Sequence, residues 1–472
     1  TKARIRHFVH MPGSSIKGTA IESEKNPLEN RVWYTYPGQT GSTGTLYGGT
    51  YNRPTAIGRV LDDGASQIST YAYDSNGNLT QATDPSGRIT YYAYTDGINL
   101  AAVSQASEFG TRSTLAQYIY NKQRRPIFFT DAAGRTSTIE YNAAAQLTSF
   151  TDALGEKTSY QYDTHANLAS VTNANNATAA SYTYDGSARV RTYTDSEGWS
   201  VTFDYDAADR VTKVTYPDGT SQRYIYQRLD LVAYQDREGR LWRYQYDANR
   251  RLTGVVDPLR QTAKLGYDPA GNLVSLTDWK GNITSWTYDI QDRQASKTYA
   301  DNSRVINTYE NTTSRLKSVL DALGQTKQYG YAIDDSLISL TYLNAANPTP
   351  SVSFTYDPYF VRLTSMTDGV GTTTYGYNPS YADGAQQLAL ECFTATSSTS
   401  CSHTIAYGYD ALGRPASRQI SGSGAELFQF DAIGRVTNHS SDLGAFQIGY
   451  LGQTPQIAVR QLLPATSSLK TT

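Results

Sequence analysis

The chain has 472 residues, with 41 Lys and Arg against 43 Asp and Glu, a net charge of −2 and 18% charged residues. Without a basic face or a Lys/Arg run, a nucleic-acid or acidic-membrane partner is disfavoured, and no stretch of about 18 apolar residues is present to span a bilayer. The 39 Tyr against 12 Phe and 2 Met suit strand faces that are half wet rather than a dense aliphatic core.

The opening residues, "TKARIRHFVHMPGSS", lack an apolar h-region, so no signal peptide is visible, and the first residue is not Met. Residues 1–32 read as a lead-in, residues 33–450 as a repeat array, and residues 451–472 as a tail or the start of a further repeat. The stretch "YAYDSNGNLTQATDPSGRIT", residues 71–90, shows the grammar. Tyr71 and Tyr73 alternate with other residues, the period-two pattern of a strand. Asp74 suits the first position of a type I turn, and Gly77 allows the positive φ that follows such a turn in a hairpin. Asp84 and Gly87 repeat the logic, with the φ of Pro85 already set for the second turn position.

The second aromatic of this pattern returns at Tyr120, Tyr141, Tyr162, Tyr184, Tyr205 and so on to Phe430 and Tyr450. The step is about 21 residues, and a period sustained this long marks a repeat array. The second turn returns at Asp131, Asp152, Asp195, Asp236, Asp278 and Asp321, with Gly281 closing the Asp278 turn. These acids read as turn initiators. A calcium loop would gather several oxygen donors in one short segment, and each turn here offers one main carboxylate.

Two turns of about four residues leave about six or seven residues per strand, near 20 Å. Some seventeen units imply about 34 strands and a flat ribbon roughly 160 Å wide. Strand twist accumulates and open sheets curl, so the expected fold is all-β, with antiparallel hairpins coiling into a spiral sheet, shell or cocoon. Units that lack turn glycines, such as "YDTHANLASVTNANNATAAS" and "VDPLRQTAK", are expected to be held in register by their neighbours.

Three insertions interrupt the period, at about residues 95–117, 343–351 and 378–404. Within the last, "GAQQLALEC" is the one place where a short helix is expected. Cys392 and Cys401 lie in the same insertion, and a bridge between them would close a small hairpin; two free thiols are the alternative. Together with His403 they would make a poor zinc site, lacking a clear fourth ligand. The five His (His7, His10, His165, His403 and His439) are scattered, and no metal or cofactor site is expected.

Catalytic motifs are missing: there is no H-E-x-x-H, G-x-x-x-x-G-K-[ST], C-x-x-C or G-x-S-x-G. The "TDG" stretches at Asp96 and Asp368 resemble aspartic-protease loops, but they fall in the repeating turn register, whereas that chemistry needs two carboxylates sharing a proton. A glycosidase needs only two carboxylates at a suitable separation. Trp199, Trp242, Trp279 and Trp286 in the central units are candidates for stacking on a glycan; cross-strand packing is the alternative reading. Sequons at Asn78, Asn176, Asn282, Asn311 and Asn438 carry information only if the source glycosylates exported proteins.

The pattern "Y-x-Y-D-x-x-G-x-L…T-D-x-x-G" resembles that of the RHS/YD-repeat family. "YDPAGNLVSLTDWKGNITSWTYD", "YDALGRPASR" and "FDAIGRVT" carry the resemblance, which covers about residues 33–450. It implies a non-enzymatic β-hairpin shell that encloses a toxin or other polypeptide cargo, in a bacterial protein secreted or displayed at the cell surface through a specialised export system. Teneurins use a related shell as an extracellular adhesion scaffold, and some members are linked to carbohydrate, which makes a carbohydrate-binding surface adhesin the alternative. Toxin-carrying members close with a motif like P-x-x-x-x-D-P-x-G-L. The end of this chain, "GYLGQTPQIAVRQLLPATSSLKTT", has none, so the self-cleavage of those members is carried over to no residue here.

Overall fold

The structure, a computed structural model, describes residues 3–10, 17–37 and 53–463. Among the described residues forty strands follow one another in a single sheet, each antiparallel to the next. Among the described residues no pairing joins the first strand, Ile5–His10, to the last, Ile457–Leu462, so the sheet is not closed into a barrel. The lead-in and the tail supply strands as well, which takes the count past the number implied by the repeats alone.

The one helical element among the described residues is a 3-10 turn, Glu108–Gly110. The helix expected at "GAQQLALEC" is absent. Leu388–Ala395 is instead a strand paired to Gly371–Tyr377 on one side and to His403–Tyr409 on the other. Ladders on both sides override the helix propensity of Ala, Gln and Leu.

Two kinds of hairpin alternate. From the fifth strand on, odd-numbered strands lead into the turns that follow the Y-x-Y motif (Y-D turns), and even-numbered strands into the turns typified by Asp84 and Asp278 (T-D turns). The three insertions lengthen loops or strands without breaking this alternation, so all Y-D turns lie on one rim of the ribbon and all T-D turns on the other.

One unit shows why the sequence folds this way. Strand Thr262–Tyr267 pairs with Leu273–Thr277, and its register slips by one residue at Tyr267, a bulge recurring at the Y-D hairpins. The bulge increases local twist. At the turn, the Gly271 N–H donates to the Asp268 carbonyl at 3.1 Å and Gly271 takes φ 100°. The same left-handed position is held by Ala145 (φ 60°), Ala166 (φ 66°), Ala188 (φ 59°) and Arg260 (φ 66°) in units that lost the glycine. The turn geometry is therefore imposed even where a Cβ resists it.

Few side chains are buried. A small cluster of Val9, Ala20 and Tyr36, with Tyr34 against it, lies near the start of the ribbon. Elsewhere Val214, Ala233 and Ala263 are isolated buried residues, and most Tyr and Leu are half-buried. A single sheet with no second layer on it cannot do better, so its cohesion rests on ladders and turn contacts.

The ribbon coils upon itself. The Asp62 turn follows the fourth strand and the Thr312 turn the twenty-seventh, and Thr312 Oγ1 donates to the Asp62 carboxylate at 2.6 Å. The Glu197 turn follows the sixteenth strand and the Gln453 turn the thirty-ninth, again 23 strands on, and the Gln453 N–H donates to Glu197 at 3.2 Å. Some pairs meet after 25 strands, as in Asn173 with Gln453, 3.0 Å. At roughly 4.8 Å per strand, one coil of about 24 strands measures about 115 Å around and some 40 Å across.

Candidate functional site

The charged and hydrogen-bonding side chains of such a coil concentrate along its two rims. Along the Y-D rim each turn is built by its own acid. Asp247 Oδ1 accepts from the N–H groups of Asn249 and Arg251, both at 2.9 Å, while Oδ2 accepts from Arg251 Nε at 2.7 Å. Arg251 then reaches the next unit, donating to the Asp268 carbonyl at 2.8 Å with its guanidinium 5.0 Å from the Tyr267 ring centre. Arg189 over Tyr205, Arg293 over Tyr309, Arg315 over Tyr331 and Arg435 over Tyr450 repeat the arrangement. Where the sequence has Asn in place of Arg, as at Asn272, the side-chain amide bridges Asp268 and Asp292 instead.

The tyrosine excess has a specific cause. The hydroxyl of Tyr162 donates to the Leu147 carbonyl at 2.9 Å, and Tyr267 to Leu252, Tyr288 to Leu273 and Tyr331 to Leu316 do the same at 2.8–2.9 Å. Leu147 lies beyond the last residues paired in its T-D hairpin, Ser149 with Ser159, and pairs instead with Tyr141 across the Y-D hairpin, where the register slips; its carbonyl accepts the phenol's hydrogen bond. A phenol satisfies it and a phenyl ring cannot.

On the T-D rim, Asp278 Oδ1 accepts from the N–H groups of Lys280 and Asn282, both at 2.8 Å, and Oδ2 accepts from Asn282 Nδ2 at 2.9 Å. The side-chain and backbone bonds from Asn282 hold its carboxyl below the usual range. Asp74 and Asp84 have the same pattern, and Gly77, Gly87 and Gly281 take φ of 79°, 86° and 87°. All six residues thus sit in turns.

Between coils, the T-D rim of the first faces the Y-D rim of the second across a polar seam. Arg88 pairs with Asp84 and, across the seam, with Asp334; Arg59 faces Asp335, Arg135 pairs with Asp383, and Lys317 lies 3.7 Å from Asp62. Buried Glu29 accepts from Ser314 Oγ and from Gln291 Nε2. Burial pushes the Glu29 carboxyl up, but the bonds from Ser314, Gln291 and Asn26 outweigh it and leave it below its ordinary value. Burial acts likewise on Asp334 and is outweighed by Ser336 and Arg88. None of these seam residues stood out in the sequence, because each partner lies some 250 residues away. The Arg that directly follows the turn glycine at Arg88 and Arg135 is the one local hint.

Two clefts open against the seam, of about 480 Å³ beside Glu29, Asp289 and Arg293 and about 250 Å³ beside Arg59, Gln67 and Asp334. A third, of about 410 Å³, lies under the 343–351 insertion, where Lys327 sits between the Tyr329 and Tyr342 rings. The Tyr407 hydroxyl, pushed up to about 12 by burial and by the Glu391 carboxylate it donates to at 2.7 Å, stays protonated. Among the described residues no group of three or more His, Cys, Asp or Glu lies close enough together to hold a metal ion. No helix among them is long and apolar enough to cross a membrane.

The four tryptophans are dispersed. Trp199 and Trp279 lie at T-D turns, 44% and 40% exposed, whereas Trp242 pairs across strands with Tyr234 and Trp286 with Lys297. No ring pair among the described residues joins two of them into a platform. Cys392 and Cys401 are disulfide-bonded across their hairpin, with Cα atoms 5.6 Å apart. Asp96 and Asp368 belong to a Y-D turn and a T-D turn, on opposite rims.

A curated relative, "Probable deoxyribonuclease RhsB" of Dickeya dadantii (strain 3937), is 26% identical over 239 residues, 48% of this chain. The chain spans only 15% of that relative's length. Among solved structures, the TcdB2-TccC3-Cdc42 crystal structure aligns over 95% of this chain and 30% of its own, at 14% identity and a TM-score of 0.49. The TcdB2-TccC3-TEV structure aligns over the same shares at 14% identity and a TM-score of 0.47. The teneurin YD-shell model matches residues 111–235, and the RHS repeat model matches residues 52–89, 73–112, 228–262 and 267–304. Together these two models span more than half of the chain, in the register of the tyrosines and turns described above, and the chain belongs to the RHS/YD-repeat family.

Proposed function

We propose that this chain is a non-enzymatic scaffold: part of the wall of a shell that encloses a toxin or other polypeptide cargo, in a secreted or surface-displayed protein. The observation that carries this reading is the seam, because it turns a ribbon into a continuous wall. With coils some 40 Å across, such a wall has room for an extended or partly folded chain. The deoxyribonuclease named for the relative belongs to that much longer protein. The adhesin reading has less support, since the tryptophans do not gather into a sugar platform.

Fusing a protease-sensitive, unstructured polypeptide after Thr472 tests the enclosure. Cleavage of the fused segment slowed at least tenfold relative to the same segment alone supports a wall around it. Equal rates would reject the reading. The purified chain, incubated with DNA and Mg²⁺, is expected to leave the DNA intact.

A further inference from the structure

The 343–351 insertion changes one unit of the array, and the cleft of about 410 Å³ beneath it is of small-molecule size. In the three preceding T-D hairpins, the residues facing Val255, Leu276 and Lys297 across the ladder are Ala263, Thr284 and Val305. In this unit the same position, facing Val319, holds Lys327. The strand that leads into the insertion, Leu337–Leu343, has seven residues, against five in each of its three even-numbered predecessors. Its added length sets Tyr342 directly opposite Lys327 on the other side. The cleft is therefore a local departure from the repeat.

Tyr329, two residues along from Lys327, shares its face of the sheet. The Lys327 ammonium stands 5.8 Å from the ring centres of both Tyr329 and Tyr342. Among the described residues this half-buried ammonium has no ion-pair or hydrogen-bond partner, and neither of the two phenol hydroxyls has a hydrogen-bond partner. Tyr331, on the same strand, instead spends its hydroxyl on the Leu316 carbonyl. The wall opposite is pinned: the Ala346 N–H donates to Gln325 Oε1 at 3.0 Å, and Pro350 lies so close to Gly369 that a Cβ there would fall 2.2 Å from its ring. Asp321 also lines the cleft, but its oxygens already accept from the N–H groups of Leu323 and Gln325 and from Gln325 Nε2. What the cleft leaves unused is one ammonium and two phenols, all hydrogen-bond donors, beside two flat rings.

We propose that this cleft binds a small carboxylic acid carried on a ring, its carboxylate paired with Lys327 and its ring laid against Tyr329 or Tyr342. Charge selects the head group. A partly desolvated ammonium without a counter-charge is costly, and a carboxylate supplies both the charge and strong acceptors for it. One ammonium balances one negative charge, and the Asp321 carboxylate on the same wall disfavours a dianion such as phosphate. The tyrosines select the body, since their faces favour a flat partner over a branched chain. Aromatic acids and sugar acids share this chemistry, a carboxylate fixed to a ring.

Saturation-transfer NMR of the full chain with benzoate and with glucuronate, each compared with an uncharged counterpart (benzamide and glucose), tests this. At least one acid should bind with a dissociation constant of about 1 mM or lower, the scale for a ligand of some ten heavy atoms. That acid should bind at least tenfold more tightly than its counterpart. Tighter binding of benzoate assigns an aromatic acid and tighter binding of glucuronate a sugar acid, and either supports the site. Lys327→Met and Lys327→Gln keep much of the stem and remove the charge, so each should abolish the preference for the acid. The lysine makes no hydrogen bond within the chain, so the β-sheet circular dichroism of both variants should match the parent, and two replacements guard against one that disturbs the sheet. The proposal is overturned if neither acid binds at that level, if the uncharged counterparts bind as tightly, or if a folded Lys327 variant keeps the parent's preference.

Discussion

Arg88 and Asp334 lie 246 residues apart and form an ion pair across the seam in which their side chains keep only 5% and 4% exposure. Arg88 also holds Asp84 of its own turn with Nε at 2.6 Å, so one guanidinium ties a local turn to the next coil. Removing one member of a buried pair strands the other charge. We expect Asp334→Ala to cost about 3 kcal/mol, the low end for such a loss because Arg88 keeps Asp84. Urea unfolding gives the energy. A larger radius of gyration by X-ray scattering, at unchanged strand content, would show that the seam opens while the ribbon stays paired.

The left-handed turn position makes opposite forecasts for two residues. Gly281 has open space around its would-be Cβ but a φ of +87°. Gly281→Val should therefore cost about 1–3 kcal/mol through backbone strain alone, felt mainly by neighbouring units. Ala166, at φ 66°, already bears that strain. Ala166→Gly should stabilise by up to about 1 kcal/mol, the relief being partly offset by the freedom glycine gains in the unfolded chain. Asp278→Asn keeps an acceptor for the turn and should be milder than Gly281→Val, with no binding activity lost. Melting curves of the three variants decide the order.

Tyr267→Phe isolates the hydroxyl from the ring. The phenyl group still packs under Arg251, but the Leu252 carbonyl loses the donor it holds at 2.8 Å. A loss of about 1 kcal/mol is expected, typical of one hydrogen bond removed at a half-buried site. If chemical denaturation shows no change, water has replaced the phenol.

Acid should open the seam. Glu29, Asp62 and Asp334 all have carboxyls held below their ordinary values; at Asp62 the Thr312 hydroxyl is the main cause. A depressed folded value means the unfolded chain binds protons first, so these contacts contribute fully above the ordinary carboxylate range of about 4. Their contribution falls as pH drops through the lowered folded values. Stability should be flat from about pH 5 to 7 on their account and decline below about pH 4. Light scattering and circular dichroism across that range should show the particle expanding before the strands are lost.

Cys401→Ser should leave the fold intact. The bridge spans a sequence separation of only nine within one hairpin, and small loops gain the least from closure, less than about 3 kcal/mol. Intact mass before and after reduction reports the bond. Unfolding of the whole chain in the variant would show that the hairpin supports more than itself.

Strand, turn and rim were legible in the sequence because each is decided within one unit. The Tyr alternation sets the strand, Asp and Gly set the turn, and the spacing of about 21 residues sets the hairpin. Neighbouring turns could have been linked in the same way, since Arg251 follows Asp247 by one helical-length step and Tyr267 recurs one unit later. The expected helix at 384–392 failed because Leu388–Ala395 is claimed by ladders on both sides, and ladder partners chosen across an insertion leave no local trace. The seam was hidden for a stronger reason. Whether Arg88 meets Asp334 depends on the curvature of some two dozen strands, and each strand's twist contributes a small angle that no single residue encodes. The sequence by itself determined a ribbon with two chemically distinct rims; only the accumulated twist decided which turns face each other, and so which rim residues are buried and which stay exposed.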